Sequence, residues 1–205
     1  MDGFLYCEVQ EYGLRRKTMV RYGVLAAAVI TASALCGGIP TRAAELRRNL
    51  PDWVQLNTMH EEVTVRAGFG EETVEVLLKD GLLTINGAEM SYESDPEWVV
   101  CDCFIYDLDR DGCDEVLLHT WRRGSFGDYQ PFWREKENKA LYTEHLFVYE
   151  WEKRSEDRLK PIWMSSQMPV TGQKVWNEAD STVHIISVNG KESVWRWEQW
   201  GMVKQ

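Results

Sequence analysis

Apolar positions along this chain come in short runs broken by turn residues, and no stretch after residue 50 sustains a 3.6-residue period. The runs are rich in β-branched and aromatic side chains: Trp53–Leu56, Val63–Ala67, Thr73–Leu78, Leu82–Ile85, Trp98–Tyr106, Glu115–Trp121, His145–Trp151, Pro161–Met164, Val183–Val188 and Ser193–Trp197. Their length and spacing predict strands. Asp80-Gly81, Asn86-Gly87 and Asn189-Gly190 fall between runs and predict tight hairpin turns, because these pairs tolerate positive φ. Only Leu46–Leu50 and the polar run Glu135–Tyr142 have room for a turn or two of helix. The pattern therefore predicts an all-β fold with antiparallel connections, in one domain over residues 45–205.

The first 44 residues differ from the rest. Val24–Leu35 carries no charge, Arg15, Arg16, Lys17 and Arg21 precede it, and Thr41-Arg42-Ala43 puts small residues at −3 and −1 of a cut after Ala43. A basic start, a short apolar run and a small-x-small end predict a secretory signal peptide with an N-terminal extension, and Met19 is an alternative start. The rivals are a membrane anchor and a buried helix. The apolar stretch Tyr22–Gly38 has only 17 residues, with Thr, Ser and Gly among them, whereas a spanning helix takes about 20 strongly apolar ones. Cys36 raises lipidation, but Ser33 and Leu35 stand where a lipobox has Leu and Gly or Ala. The expected product is secreted or extracytoplasmic and has no membrane span after cleavage.

Composition narrows the partners. Removing residues 1–44 leaves 18 basic and 30 acidic side chains, a net charge of −12. That excludes a nucleic-acid partner in practice, because phosphate binding needs a basic face. The chain has ten Trp. Trp53, Trp98, Trp121, Trp151, Trp163, Trp195 and Trp197 fall in predicted strands, which suits core packing; Trp195 and Trp197, two apart, share one face. Trp133 and Trp200 sit in loop-like contexts and are the candidates for an exposed sugar platform.

One segment carries specific chemistry. Residues 107–115 read Asp-Leu-Asp-Arg-Asp-Gly-Cys-Asp-Glu. Carboxylates at every second position of a tight loop converge on one point, and Gly112 permits the reversal that follows. The Cys113 carbonyl adds a backbone oxygen. A helix-loop-helix calcium site would need Glu at position 12, but Leu118 stands there inside an apolar run. Glu115 then closes the site, and the flanks are strands. The alternative is a solvated acidic turn.

This segment resembles the calcium loop of the FG-GAP and VCBS repeats of extracellular β-propellers. The resemblance implies calcium bound by Asp107, Asp109, Asp111, the carbonyl of Cys113 and Glu115. It covers about a dozen residues, and the chain shows one copy where the family usually shows several. It implies propeller-like blades; at the usual 40–50 residues per blade the chain holds three or four. A partial propeller and a two-sheet β-sandwich are both open.

The other candidates are weaker. Cys101, Cys103 and Cys113 follow the leader, and Cys101 and Cys103 are expected on one strand face. Buried thiols, one disulfide, and a zinc site with His119 are the alternatives. His60, His119, His145 and His184 show no nucleophile–base spacing, and no phosphate or dinucleotide motif is present. The loop Arg122–Tyr129 is a candidate ligand-contacting loop. The expectation is an exported, non-catalytic β domain with one structural calcium, binding a protein or a cell-envelope polysaccharide. The rival is a secreted carbohydrate-active hydrolase, which would need two carboxylates about 5–9.5 Å apart outside the calcium site.

Overall fold

The computed structural model describes residues 42–125, 140–151, 159–166, 168, 172–177 and 180–205. Within them one helix, α1 (Arg42–Asn49), precedes twelve strands. The first sheet contains β1 (Met59–Ala67), β2 (Gly70–Lys79), β3 (Leu82–Asn86) and β4 (Ser91–Glu93). The second contains β5 (Val99–Tyr106), β6 (Glu115–Arg123), β7 (Tyr142–Trp151) and β8 (Leu159–Met164). The third contains β9 (Gly172–Asn177), β10 (Thr182–Ser187), β11 (Glu192–Glu198) and β12 (Gly201–Lys204). All pairs are antiparallel between sequence neighbours. The fold is thus the expected all-β antiparallel meander, in three four-stranded sheets where a sandwich has two. A four-stranded meander is also the unit of a propeller blade.

The second sheet is the middle layer. Along β7, Phe147, Tyr149 and Trp151 pack with Val65, Val76 and Leu83 of the first sheet. Leu146 and Val148, pointing the other way, pack with Val175, Val183 and Ile185 of the third. Covering both faces explains why β6 runs Val116-Leu117-Leu118 without alternation. Each such side chain contributes roughly 1.5–3 kcal/mol by leaving water.

Turn chemistry sets the hairpins. Asp80 and Gly81 have φ of 50° and 75° and join Lys79 to Leu82 as a two-residue turn. Asn86-Gly87 is not such a turn: it opens a longer connection to Ser91, and Gly87 keeps negative φ. A Cβ there would lie 2.3 Å from Glu72 Oε1 and 3.0 Å from Val74 Cγ1, so a larger residue would have to displace the Glu72 carboxylate. Gly190, at φ 78°, turns the β10–β11 connection.

Three strands were not predicted: β4, β9 and β12. Trp53–Leu56 is an irregular segment and not a strand. Pro51 starts a turn, with Val54 N–H donating to its carbonyl at 3.0 Å. The segment still buries its apolar residues: Leu46, Leu50 and Val54 cover Val99, Cys101 and Trp121, and Trp53 meets Trp121 edge-on at 5.5 Å between centroids. Most of the expected leader, and most of Glu135–Tyr142, lie outside the described residues. Among the described residues no helix is long and apolar enough to cross a membrane.

The tryptophans largely fill the core. Trp195 and Trp197 join one cluster, as their spacing predicts. Trp200, at the tip of the β11–β12 hairpin, is 86% exposed; Trp133 lies outside the described residues.

Candidate metal centre

Antiparallel pairing of β5 and β6 ends at Tyr106 opposite Glu115, so the acidic loop is held at both ends by the middle sheet. Inside it, aspartates fold the backbone. Asp111 N–H donates to Asp109 Oδ1 at 3.1 Å, Gly112 N–H to Asp107 Oδ2 at 3.2 Å and Cys113 N–H to Asp111 Oδ1 at 2.7 Å. Arg110 and Gly112 take positive φ, 67° and 95°. The result brings one carboxylate oxygen from each of Asp107, Asp109 and Glu115 within 4.8 Å of the others, a group able to hold a metal ion. Asp111 and Cys113 flank this group without belonging to it.

Burial and mutual repulsion disfavour the ionised forms of Glu115 and Asp109 in this group. Glu115 is buried, and that burial, with Asp109 and Asp111 nearby, pushes its pKa up to about 8 against the N–H bond it accepts from Leu108 at 2.8 Å. Burial also raises the Asp109 carboxyl, opposed by its bond from Asp111 N–H and helped by the charges of Asp111 and Asp107. Asp107 Oδ1 is buried and has no hydrogen-bond partner among the described residues, a position that an ion would fill.

All three sheets brace the loop. From the first, Arg66 clamps Asp114: Nη2 donates to Oδ1 at 2.8 Å, Nε to Oδ2 at 3.3 Å, and the Arg66 backbone N–H to Oδ2 at 2.8 Å. Asp114 N–H returns a bond to Arg66 O at 2.7 Å, and Arg66 Nη2 also lies 3.7 Å from Asp107. From the third, Ser181 Oγ donates to Asp107 O at 2.8 Å, and the Arg110 guanidinium donates to Asp180 O. Asp114 is therefore a structural anchor, paired with Arg66 and not a member of the acidic group.

The cysteines correct one expectation. All three are free. Cys101 and Cys103 do not share a face: a β-bulge between Val100 and Asp102 shifts the register. The extra residue reverses the alternation, so Cys101 faces the α1 cluster while Cys103 packs between the first and second sheets. Burial raises the Cys103 thiol strongly, which keeps it protonated. Cys113 is half-buried beside the acidic loop. Because only its carbonyl is assigned to the ion, Cys113→Ser is expected to leave metal-dependent stabilisation within about 0.5 kcal/mol of wild type. Loss of the metal response in that variant, read by thermal unfolding, would reveal a thiolate ligand.

A second polar cluster had no counterpart in the sequence reading. His119 on β6 lies between two carboxylates, with Nδ1 3.1 Å from Asp102 Oδ2 and Nε2 2.5 Å from Glu144 Oε1. Glu144 Oε2 accepts from Gly172 N–H at 2.6 Å, and Asp102 accepts from Asn57. Burial alone would lower the His119 pKa; the hydrogen bonds and charges of Asp102 and Glu144 outweigh it and push it up to about 9. His119 is thus committed to an ion cluster and not to zinc. The only advance signal was an Asp, a His and a Glu inside otherwise apolar strands. His145 is buried and bonded to Thr143, Ser165 and Gly124. In the candidate loop Arg122–Tyr129, residues from Phe126 on lie outside the described residues; Arg123 stacks on Tyr142 at 4.8 Å.

Set against known proteins, the chain matches no family model, no curated protein and no solved structure.

Proposed function

We propose that this chain is an exported, non-catalytic β domain whose loop 107–115 binds one calcium ion, and that the ion staples the three sheets at their common junction. The observation that carries the reading is the convergence of Asp107, Asp109 and Glu115 within 4.8 Å on a loop that both outer sheets hold. Calcium suits the donors: it takes six to eight hard oxygens in flexible geometry, and the loop offers carboxylates and carbonyls. Asp111 and the Cys113 carbonyl complete the set when the loop closes on the ion, as in the FG-GAP and VCBS loops it resembles. Binding to a protein or an envelope polysaccharide is the role for such a domain.

The test is thermal unfolding with calcium, with magnesium and with chelator. Extracellular calcium modules bind at roughly 10⁻⁴ to 10⁻³ M. At about 1 mM calcium, linkage gives about 0.4–1.4 kcal/mol, a shift of a few degrees. Asp109→Ala removes a central ligand and is expected to abolish the shift. Binding needs ionised Glu115, whose pKa is raised to about 8. The metal-free fold should lose stability as pH rises from about 4.5 through 8, and calcium should restore it increasingly over that range. Identical melting curves with calcium and with chelator at pH 8 would refute the assignment.

Export has its own check. Cleavage after Ala43 removes Arg42, whose guanidinium donates to Trp98 O at 3.0 Å. N-terminal sequencing of the secreted protein is expected to begin at Ala44. An intact Met1 or Met19 terminus in the membrane fraction contradicts the leader reading.

A further inference from the structure

The middle sheet is covered on both faces, but the first and third sheets each turn one face outward. On the third sheet, Val175, Val183, Ile185 and Met202 point inward to the core. Alternation then puts their neighbours on the outer face. Cross-strand register sets Trp176 and Val194 on either side of His184, Ile186 next along β10, and Val203 opposite Arg196. Trp176 stacks on His184 with centroids 5.0 Å apart. None of the four apolar residues joins a core cluster; three are half-buried and Val203 is 43% exposed. An outer face of an antiparallel sheet is normally polar. The first sheet's outer face has Leu77, 37% exposed, between His60 and Thr84. Its charges are mostly acidic: Glu62, Glu71, Glu75 and Glu93 against Arg66 and Lys79. On the third-sheet face Lys174 and Arg196 balance Glu192 and Glu198.

We propose that these two faces are one interface between copies of this chain: the third sheet of each copy stacks on the first sheet of the other, in a closed two-fold pair. The contact continues the way the chain already stacks its own sheets. Charge decides which faces meet. Two first-sheet faces would set acid on acid, whereas the third-sheet face brings Lys174 and Arg196 to the glutamates. Area decides how many contacts form. Strands about 4.8 Å apart, rising about 3.3 Å per residue, make a four-stranded face of about 350 Å². A stable interface takes about 800 Å² per partner. Third sheet on third sheet uses one face per copy and falls well short. The reciprocal pair uses two faces per copy, about 700 Å², and comes close. Two-fold closure also leaves no face over for a third copy to extend into a filament.

The experiment is sedimentation velocity on the full-length chain, which is expected to show dimer at concentrations of about 10–100 µM. Leu77→Glu alters the first-sheet face and Val203→Glu the third. Both side chains are exposed, so the melting curves should match wild type. In a pair of like variants each change spoils both contacts, because it leaves a carboxylate against apolar surface. Either is expected to raise the dissociation constant about a hundredfold or more. An equal mixture of the two variants should recover dimer, since one contact of the mixed pair joins two unaltered faces. Dimer lost in Val203→Glu but intact in Leu77→Glu overturns the inference, in favour of third sheets meeting each other. Species that keep growing with concentration overturn closure, in favour of a filament. Monomer throughout, or a dimer that neither variant weakens, overturns the interface itself.

Discussion

Replacing His119 by Leu is expected to destabilise the fold by about 3–5 kcal/mol, the usual result when one member of a buried ion cluster is removed and its partners remain. Asp102 and Glu144 would then share a site with no cation between them, and Glu144 is almost wholly buried in the middle sheet. The loss should exceed that of a plain cavity of this size, because the carboxylates cannot move to solvent without unpairing Asn57 and Gly172. Denaturant unfolding at pH 7 measures it. The pH dependence separates charge from packing. His119 titrates near 6.5 when unfolded and near 9 when folded. Its contribution is therefore fully present below about 6.5 and is lost as pH rises through 9. Wild type should weaken over that interval, and His119→Leu should lack that component. The double variant His119→Leu/Glu144→Leu should be less destabilised than the sum of its parts, because it removes a stranded charge. A loss under about 1 kcal/mol, or the same pH slope in both proteins, would show that the cluster is not ionic.

What the sequence disclosed depended on how local each feature was. Asp80-Gly81 was legible because positive φ at two successive residues is a property of that dipeptide alone. The acidic loop was legible for the same reason: all its groups lie within nine residues, and the bonds that shape it run between near neighbours. The apolar runs gave nine of the twelve strands. The three missed ones are short or polar. β4 has three residues, and β9 reads Gly-Gln-Lys-Val-Trp-Asn, with little alternation to detect. Trp53–Leu56 misled because apolar residues cover a core from irregular chain as well as from a strand. The bulge at Cys101 and the Asp102–His119–Glu144 cluster were hidden for a different reason. Both are consequences of register between strands, Asp102 opposite His119 and Glu144 diagonal to it on β7, and register is not written in any single segment. The bracing of the loop by Arg66 and Ser181 was hidden likewise, since it spans 48 and 74 residues of sequence.

That bracing leads to the second large effect. Asp114→Ala is expected to cost about 2–3 kcal/mol, or about 4–12 °C in melting temperature, while leaving the calcium response intact. Asp114 is buried at the foot of the acidic loop and accepts three bonds from Arg66, one of them from the backbone. Removing it strands the Arg66 backbone N–H and unties β1 from the loop. The cost falls toward the low end of buried pairs because the Arg66 side chain is about one-third exposed and can rehydrate. Asp109→Ala makes the opposite pattern. In the metal-free protein it removes a carboxylate from a crowded group and should be neutral or slightly stabilising, yet it abolishes the calcium shift. Two acids of one loop are thereby divided into a ligand and an anchor by two melting curves each. If Asp114→Ala abolished the calcium shift at unchanged metal-free stability, the assignments would be reversed, and Asp114 would have to turn from Arg66 to the ion.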